Sequence, residues 1–243
     1  MRQKKNSMAK LRQITDKQQL DAIKASESWN LLTIMAEFIE STERLSHVRP
    51  AVSIFGSART RPEDPFYQNC LDLSRRLSDE GFAVISGGGP GIMEAANRGA
   101  FNGRSPSIGL NVELPKEQVP NRFQTISISF RHFFARKVAF VKYADAYVVY
   151  PGGFGTLDEV TEAITLIQTG KTRRIPVILV GTQFWQGFTD WLTSSLAANH
   201  MIAEKDLDII QLIDEPSNIV DAIFAFYEAL DIETVSNTLP PPL

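Results

Sequence analysis

A carboxylate one helical turn beyond a glycine loop can act on whatever that loop binds, and residues 147–159 have this form. Tyr147-Val148-Val149-Tyr150 is an apolar run, Pro151-Gly152-Gly153 breaks it, and Val160, Ala163, Ile164 and Ile167 then recur at helical spacing. A strand, a glycine turn and a helix start leave backbone N–H groups free to face a ligand. The positive end of the helix dipole favours an anion such as phosphate there. Glu159 falls about a turn inside that helix, within reach of a phosphate-anchored substrate.

Two further strand ends repeat the design. Phe82-Ala83-Val84-Ile85 runs into Ser86-Gly87-Gly88-Gly89-Pro90-Gly91 and then into the helix-forming Ile92–Ala100. Val52-Ser53-Ile54-Phe55 runs into Gly56-Ser57-Ala58. In a parallel α/β sheet all three turns gather at the carboxyl edge, where ligands bind. The expectation is one nucleotide-sized pocket.

The elements that must position these turns alternate regularly. A helical pattern over about 26–48 (Leu31, Ile34, Met35, Phe38, Ile39) comes before the first strand. Strands are expected at 51–56, 82–86, 107–112, 125–130, 145–150, 176–180 and 209–213. Helices are expected at 64–80, 91–102, 132–143, 157–169, 184–198 and 216–230. Alternation of this kind implies an α/β, Rossmann-like, doubly wound and mainly parallel sheet with helices on both faces. The division expected is an N-terminal helical extension over 1–48, a nucleotide-binding catalytic domain over 49–232, and a flexible tail over 233–243.

Composition narrows the class. The 243-residue chain is 43% hydrophobic and 22% charged, ordinary for a globular enzyme. A net charge of −3 argues against a nucleic-acid partner. The lone Cys70 permits no intrachain disulfide, suits a reducing compartment, and falls among Leu71 and Leu73 as core packing. No apolar segment follows the basic start Met1–Asn6, and no run nears the roughly 18 residues of a membrane span. A cytoplasmic location and no membrane partner are expected. His47, His132 and His200 are scattered and no Cys pair exists, so neither a metal nor a cofactor is expected.

Other readings of the glycine turns are open on the residues alone. Gly87, Gly89 and Gly91 approximate a dinucleotide fingerprint, with Ile92 where its third glycine belongs and Glu113 near the position of a ribose-binding acid. No Walker lysine follows either turn. Thr156-Leu157-Asp158-Glu159 also has the form of a capping box, with Thr156 capping the helix and Glu159 reaching back to its N–H.

The combination of Gly87-Gly88-Gly89-Pro90-Gly91-Ile92-Met93-Glu94, Arg136-Lys137 and Pro151-Gly152-Gly153-Phe154-Gly155-Thr156-Leu157-Asp158-Glu159 resembles the LOG family. Those proteins are cytokinin riboside 5′-monophosphate phosphoribohydrolases, long mislabelled lysine decarboxylases. The likeness runs from about Val52 to Val180, and the extension before residue 50 resembles the longer bacterial form. It implies hydrolysis of a nucleoside 5′-monophosphate, AMP or a cytokinin riboside 5′-monophosphate, to free base and ribose 5-phosphate. It implies Arg136 and Glu159 as the catalytic pair and Gly152, Gly153, Gly155 and Thr156 as the phosphate site. Gly56, Ser57, Gly88, Met93 and Glu94 would line the pocket. Lys137 is counted among the substrate contacts, its alternative being a solvated or subunit-surface position. His132, in an aromatic-rich turn before Arg136, marks a place where base selectivity can differ from the plant enzymes. No residue is singled out as a pyridoxal phosphate lysine.

The chemistry stands without the family. Breaking a ribosyl C1′–N bond builds oxocarbenium character, which a carboxylate stabilises while it orients the attacking water. A guanidinium stays charged and offers several donors to a phosphate or departing base. A non-catalytic nucleotide carrier on the same fold and a nicotinamide-dependent oxidoreductase are the competing functions. A homodimer or higher homo-oligomer is expected, because the extra helix and the Phe130–Phe134 segment need partners.

Overall fold

The computed structural model describes residues 17–113 and 119–230, with side chains from residue 29 onward. The basic start and the 233–243 tail lie outside the described residues. In chain order the elements are α1 (Lys17–Leu45), β1 (Ala51–Phe55), α2 (Pro65–Asp79), β2 (Ala83–Ser86), α3 (Ile92–Phe101), β3 (Ser107–Val112), β4 (Ile126–Phe130), α4 (Phe133–Tyr143), β5 (Ala146–Val149), α5 (Phe154–Gln168), β6 (Val177–Leu179), α6 (Thr182–Trp191), β7 (Ile210–Leu212) and α7 (Pro216–Ala229).

The seven strands form one sheet in the order β4-β3-β2-β1-β5-β6-β7, every pair parallel. β1, β2, β5 and β6 are buried along their whole length, as strands covered on both faces must be. Alternate side chains feed two cores. Phe55, Ile85, Leu110, Val149 and Leu179 pack with residues of α1, α4, α5 and α6. Val52, Ile54, Val84, Val148 and Ile178 pack with α2, α3 and α7 on the opposite face. Cys70 is fully buried in the second core, which pushes its thiol up to about 12. No described helix is long and apolar enough to cross a membrane.

Local chemistry fixes the starts of two helices. Asp64 caps α2 by accepting from the Phe66 N–H at 2.8 Å, and Pro65 takes the first helical position, where its missing N–H costs nothing. α3 starts after Gly91, whose φ of +69° places it in the left-handed region, and a Cβ there would strike the backbone of Ser57 and Ala58. The Ile92 N–H donates to Ser57 O at 3.0 Å, drawing the turns after β1 and β2 together.

Three expectations need correction. The helix expected at 157–169 starts at Phe154, so Thr156 lies inside it and Gly153 is its cap, with no side-chain cap bond. The capping-box reading of Glu159 therefore fails. The helix expected over 184–198 is α6 followed by a wider π-type turn over Leu192–Ala197. Phe130 needs no outside partner, because it is buried in the first core; Phe133 and Phe134 remain half exposed.

Candidate active site

β1 lies between β2 and β5, where the strand order reverses, so the crevice of a doubly wound sheet opens beyond their carboxyl ends. A cavity of about 680 Å³ occupies that crevice. The Ser57 N–H donates to Pro151 O at 3.0 Å and the Tyr150 N–H to Phe55 O at 2.8 Å, which joins the turns after β1 and β5 into one floor.

One wall is the start of α5. Gly153, Phe154, Gly155 and Thr156 line the cavity, and the first intrahelical bond runs from the Leu157 N–H to Gly153 O at 3.0 Å. The N–H groups before Leu157 are left for a ligand, at the positive end of the helix. Gly152 lies just behind. Thr156 packs where a side chain at residue 152 would project.

The opposite wall carries Arg136. Its Nε donates to Leu110 O within β3 at 2.8 Å, and its guanidinium lies 5.2 Å from the Phe140 ring centroid and 5.9 Å from that of Phe133. Its terminal nitrogens make no hydrogen bond among the described residues, so they remain available to a substrate. Burial lowers the affinity of this guanidinium for its proton and the charge of Glu159 opposes that effect. An arginine stays charged at neutral pH under such conditions.

Glu159 lines the same cavity from the second turn of α5. It makes no hydrogen bond or ion pair to the described residues. Burial raises its carboxyl to about 7, against the lowering effects of Lys137 and Arg136. A carboxylate poised near neutrality and free of partners suits general-base work.

The remaining candidates divide. Gly56, Ser57 and Met93 line the cavity. Gly88, Glu94 and Lys137 do not. Gly88 O is instead bonded by the Asn121 N–H at 2.8 Å and by Gln124 Nε2 at 2.9 Å, fixing the turn after β2 through a buried amide cluster that includes Asn97 and Ser86. Glu94 accepts from Tyr67 OH at 2.9 Å. Glu113, the acid a dinucleotide would have needed, pairs with Arg131 at 3.2 Å on the surface. Arg59, Gly87, Val112, Phe133, Phe154 and Asp158 also line the cavity, although the sequence does not single them out as substrate contacts. Phe154 offered the one readable signal, a large aromatic inside a glycine loop; it is 91% exposed at the mouth.

Lys137 is 16% exposed and bridges α4 to α5, with its Nζ 2.9 Å from both Asp158 Oδ2 and Glu162 Oε2. These two acids flank Glu159 on α5, and the ammonium they hold favours the ionised form of Glu159. Lys137→Met should move the acidic limb of kcat/KM to higher pH, because Glu159 then loses a charge that favours its ionised form. Lys137→Arg should restore it. A pH–rate profile of both variants checks this, and an unmoved limb would refute the tuning role.

A seven-stranded parallel sheet with an open helix start, a buried guanidinium and a carboxylate raised by burial at its switch point defines a Rossmann-like α/β protein with a cavity at the carboxyl edge of the strands. The family model described as "Possible lysine decarboxylase" matches residues 93–223, more than half of the chain. The chain belongs to this family, the LOG family. It is 29% identical over 176 residues to cytokinin riboside 5′-monophosphate phosphoribohydrolase LOG of Oryza sativa subsp. japonica, covering 69% of each chain. It is 30% identical over 105 residues to LOG1 of Arabidopsis thaliana, covering 41% of this chain and 48% of that one. The alignment thus spans about half the length of the Arabidopsis relative. Among solved structures, the molybdenum cofactor carrier protein of Chlamydomonas reinhardtii shares the fold with a TM-score of 0.54 at 22% identity, over 74% of this chain and 98% of that one.

Proposed function

We propose that the protein hydrolyses the N-glycosidic bond of a nucleoside 5′-monophosphate, AMP or a cytokinin riboside 5′-monophosphate, releasing the base and ribose 5-phosphate. The observation that carries this reading is the meeting of Glu159, Arg136 and the open N-terminus of α5 in one cavity. The 5′-phosphate sits on the N–H groups of Gly155 and Thr156, and its binding energy aligns C1′ with the chemistry. As the C1′–N bond breaks, its electron pair leaves with the base and the ribosyl carbon gains positive charge, which the Glu159 carboxylate faces. Water, oriented and deprotonated by Glu159, forms the new C1′–O bond. The departing base nitrogen takes a proton from solvent as Glu159 returns to solvent the one it took from water, and the Arg136 donors stabilise the charge the base carries meanwhile. Incubation with AMP followed by detection of adenine tests the reaction. Retention of AMP without cleavage would replace it with a carrier function, and retention of NAD in preference to AMP with a redox one.

The family description also raises lysine decarboxylation, which relies on a pyridoxal phosphate lysine. Among the described residues no lysine lines this cavity, and the nearest in sequence to Arg136, Lys137, is held by two carboxylates. The residues present do not fit that cofactor.

Exposed apolar side chains support self-association. Trp29, Leu32, Met35 and Ile39 form a stripe on the outer side of α1, with exposures from 56% to 71%, and Phe133 and Phe134 add two half-exposed rings. A dimer or larger homo-oligomer is expected by light scattering, and a monomeric mass would contradict it.

A further inference from the structure

The start of α4 is held from a distance. His132 occupies its cap position and makes no side-chain cap bond to the helix. The anchoring comes from α1 instead. Glu37, only 7% exposed, accepts from the Arg131 N–H at 2.8 Å through Oε1, and its two oxygens lie 3.1 and 3.2 Å from His132 Nδ1. A carboxylate withdrawn from water is costly unless it is hydrogen-bonded, and among the described residues every bond it makes goes to the two residues that launch α4.

The first turn of α4 forms a wall of the cavity. Phe133 is its first residue, and one turn later the Arg136 N–H bonds back to His132 O at 3.3 Å. A movement of His132 is therefore passed directly to the backbone of Arg136, while the guanidinium at the far end is fixed to Leu110 O. The rest of α1 is secured separately. Arg44 donates to Ser127 O at 2.7 Å and Leu45 is fully buried, and just beyond the helix Arg49 donates to Lys142 O at 2.7 Å. Docking of α1 thus does not depend on Glu37 alone.

We propose that Glu37 is a positioning residue that, through Arg131 and His132, sets the start of α4 and so places the Arg136 guanidinium in the cavity. The assignment makes the N-terminal helix a working part of the site, although none of its described side chains lines the cavity. Its effect on turnover rests on the hydrolase reading above; its effect on Arg136 does not.

Three measurements test it on the full chain. In Glu37→Ala the ¹⁵N-detected Nε–H resonance of Arg136 shifts. The kcat for AMP falls at least ~10-fold while the dissociation constant of ribose 5-phosphate, held by α5, stays within about twofold. Glu37→Gln, which retains an oxygen for the Arg131 N–H, recovers most of both signals. An unmoved Arg136 resonance, or equal weakening of kcat and ribose 5-phosphate binding, would show that Glu37 merely stabilises the fold and overturn the proposal. Should Glu37→Ala not fold, His132→Ala removes half of the same contact and must move the Arg136 resonance in turn. If the wild type releases no adenine, the hydrolase reading fails, and the resonance and ribose 5-phosphate arms still decide the role of Glu37.

Discussion

Glu159→Gln should lower kcat for AMP cleavage by ~10²–10⁴-fold while leaving AMP affinity within a few-fold. The amide keeps the shape of the side chain but can neither take a proton from water nor balance positive charge at C1′. The proposed phosphate site is backbone, so it is untouched by the change. The same substitution should stabilise the protein. Burial holds the folded carboxyl near 7 against an ordinary 4.5, so the folded state binds this proton more tightly than the unfolded one. Stability is then lost as pH rises from about 4.5 through 7, and above that the ionised group weighs on the fold. Discounted for the partial exposure of the group, E159Q should gain on the order of 2 kcal/mol over the wild type at pH 8 and nothing below pH 4.5. Urea unfolding at both pH values, beside steady-state turnover, measures the pair of effects. Undiminished hydrolysis would remove Glu159 from the mechanism.

Gly87→Ala should cost roughly 10²-fold in kcat with little change in melting temperature. A Cβ at residue 87 would meet Arg136 Nη2 and Met93 Sδ, the far ends of two flexible side chains. Both can swing aside, so folding is spared. The guanidinium, however, must leave the place where the end of β2 and the Leu110 carbonyl hold it. Loss of activity without loss of stability is the signature of a displaced catalytic group, and thermal melts alongside kcat distinguish the two. A variant as active as wild type would show that the position of Arg136 against residue 87 is immaterial.

The sheet and the floor of the site are legible in the sequence because both rest on short-range chemistry. Glycine turns after β-branched runs and apolar periodicity survive in a linear reading, and they place Gly56, Gly153 and Glu159 at one edge. Features that depend on three-dimensional direction are not legible in this way. Lys137 follows Arg136 in the chain, but a helix rotates successive residues by about 100°, so the two point to different neighbours: one to the cavity, one to Asp158 and Glu162. The start of α5 is hidden because Phe154-Gly155 follows a glycine pair and looks like loop, whereas the Leu157 N–H already bonds to Gly153 O. Glu37 meets Arg131 across a long stretch of chain, and no local pattern announces such a partner. Gly88 and Glu94 sit beside the right turn but commit their polar groups to Gln124, Asn121 and Tyr67.

The reversal of strand order at β1 has a consequence for assembly. Its flanking strands are β2, close by in the chain, and β5, which arrives only after β3, β4 and α4 have been laid down. The proposed phosphate site therefore cannot exist in any N-terminal fragment that stops short of β5 and α5, and it appears in the same step that completes the middle of the sheet. A nucleotide bound there clasps early and late segments at once, so its binding energy is credited to the cooperative unfolding of the whole sheet rather than to one loop.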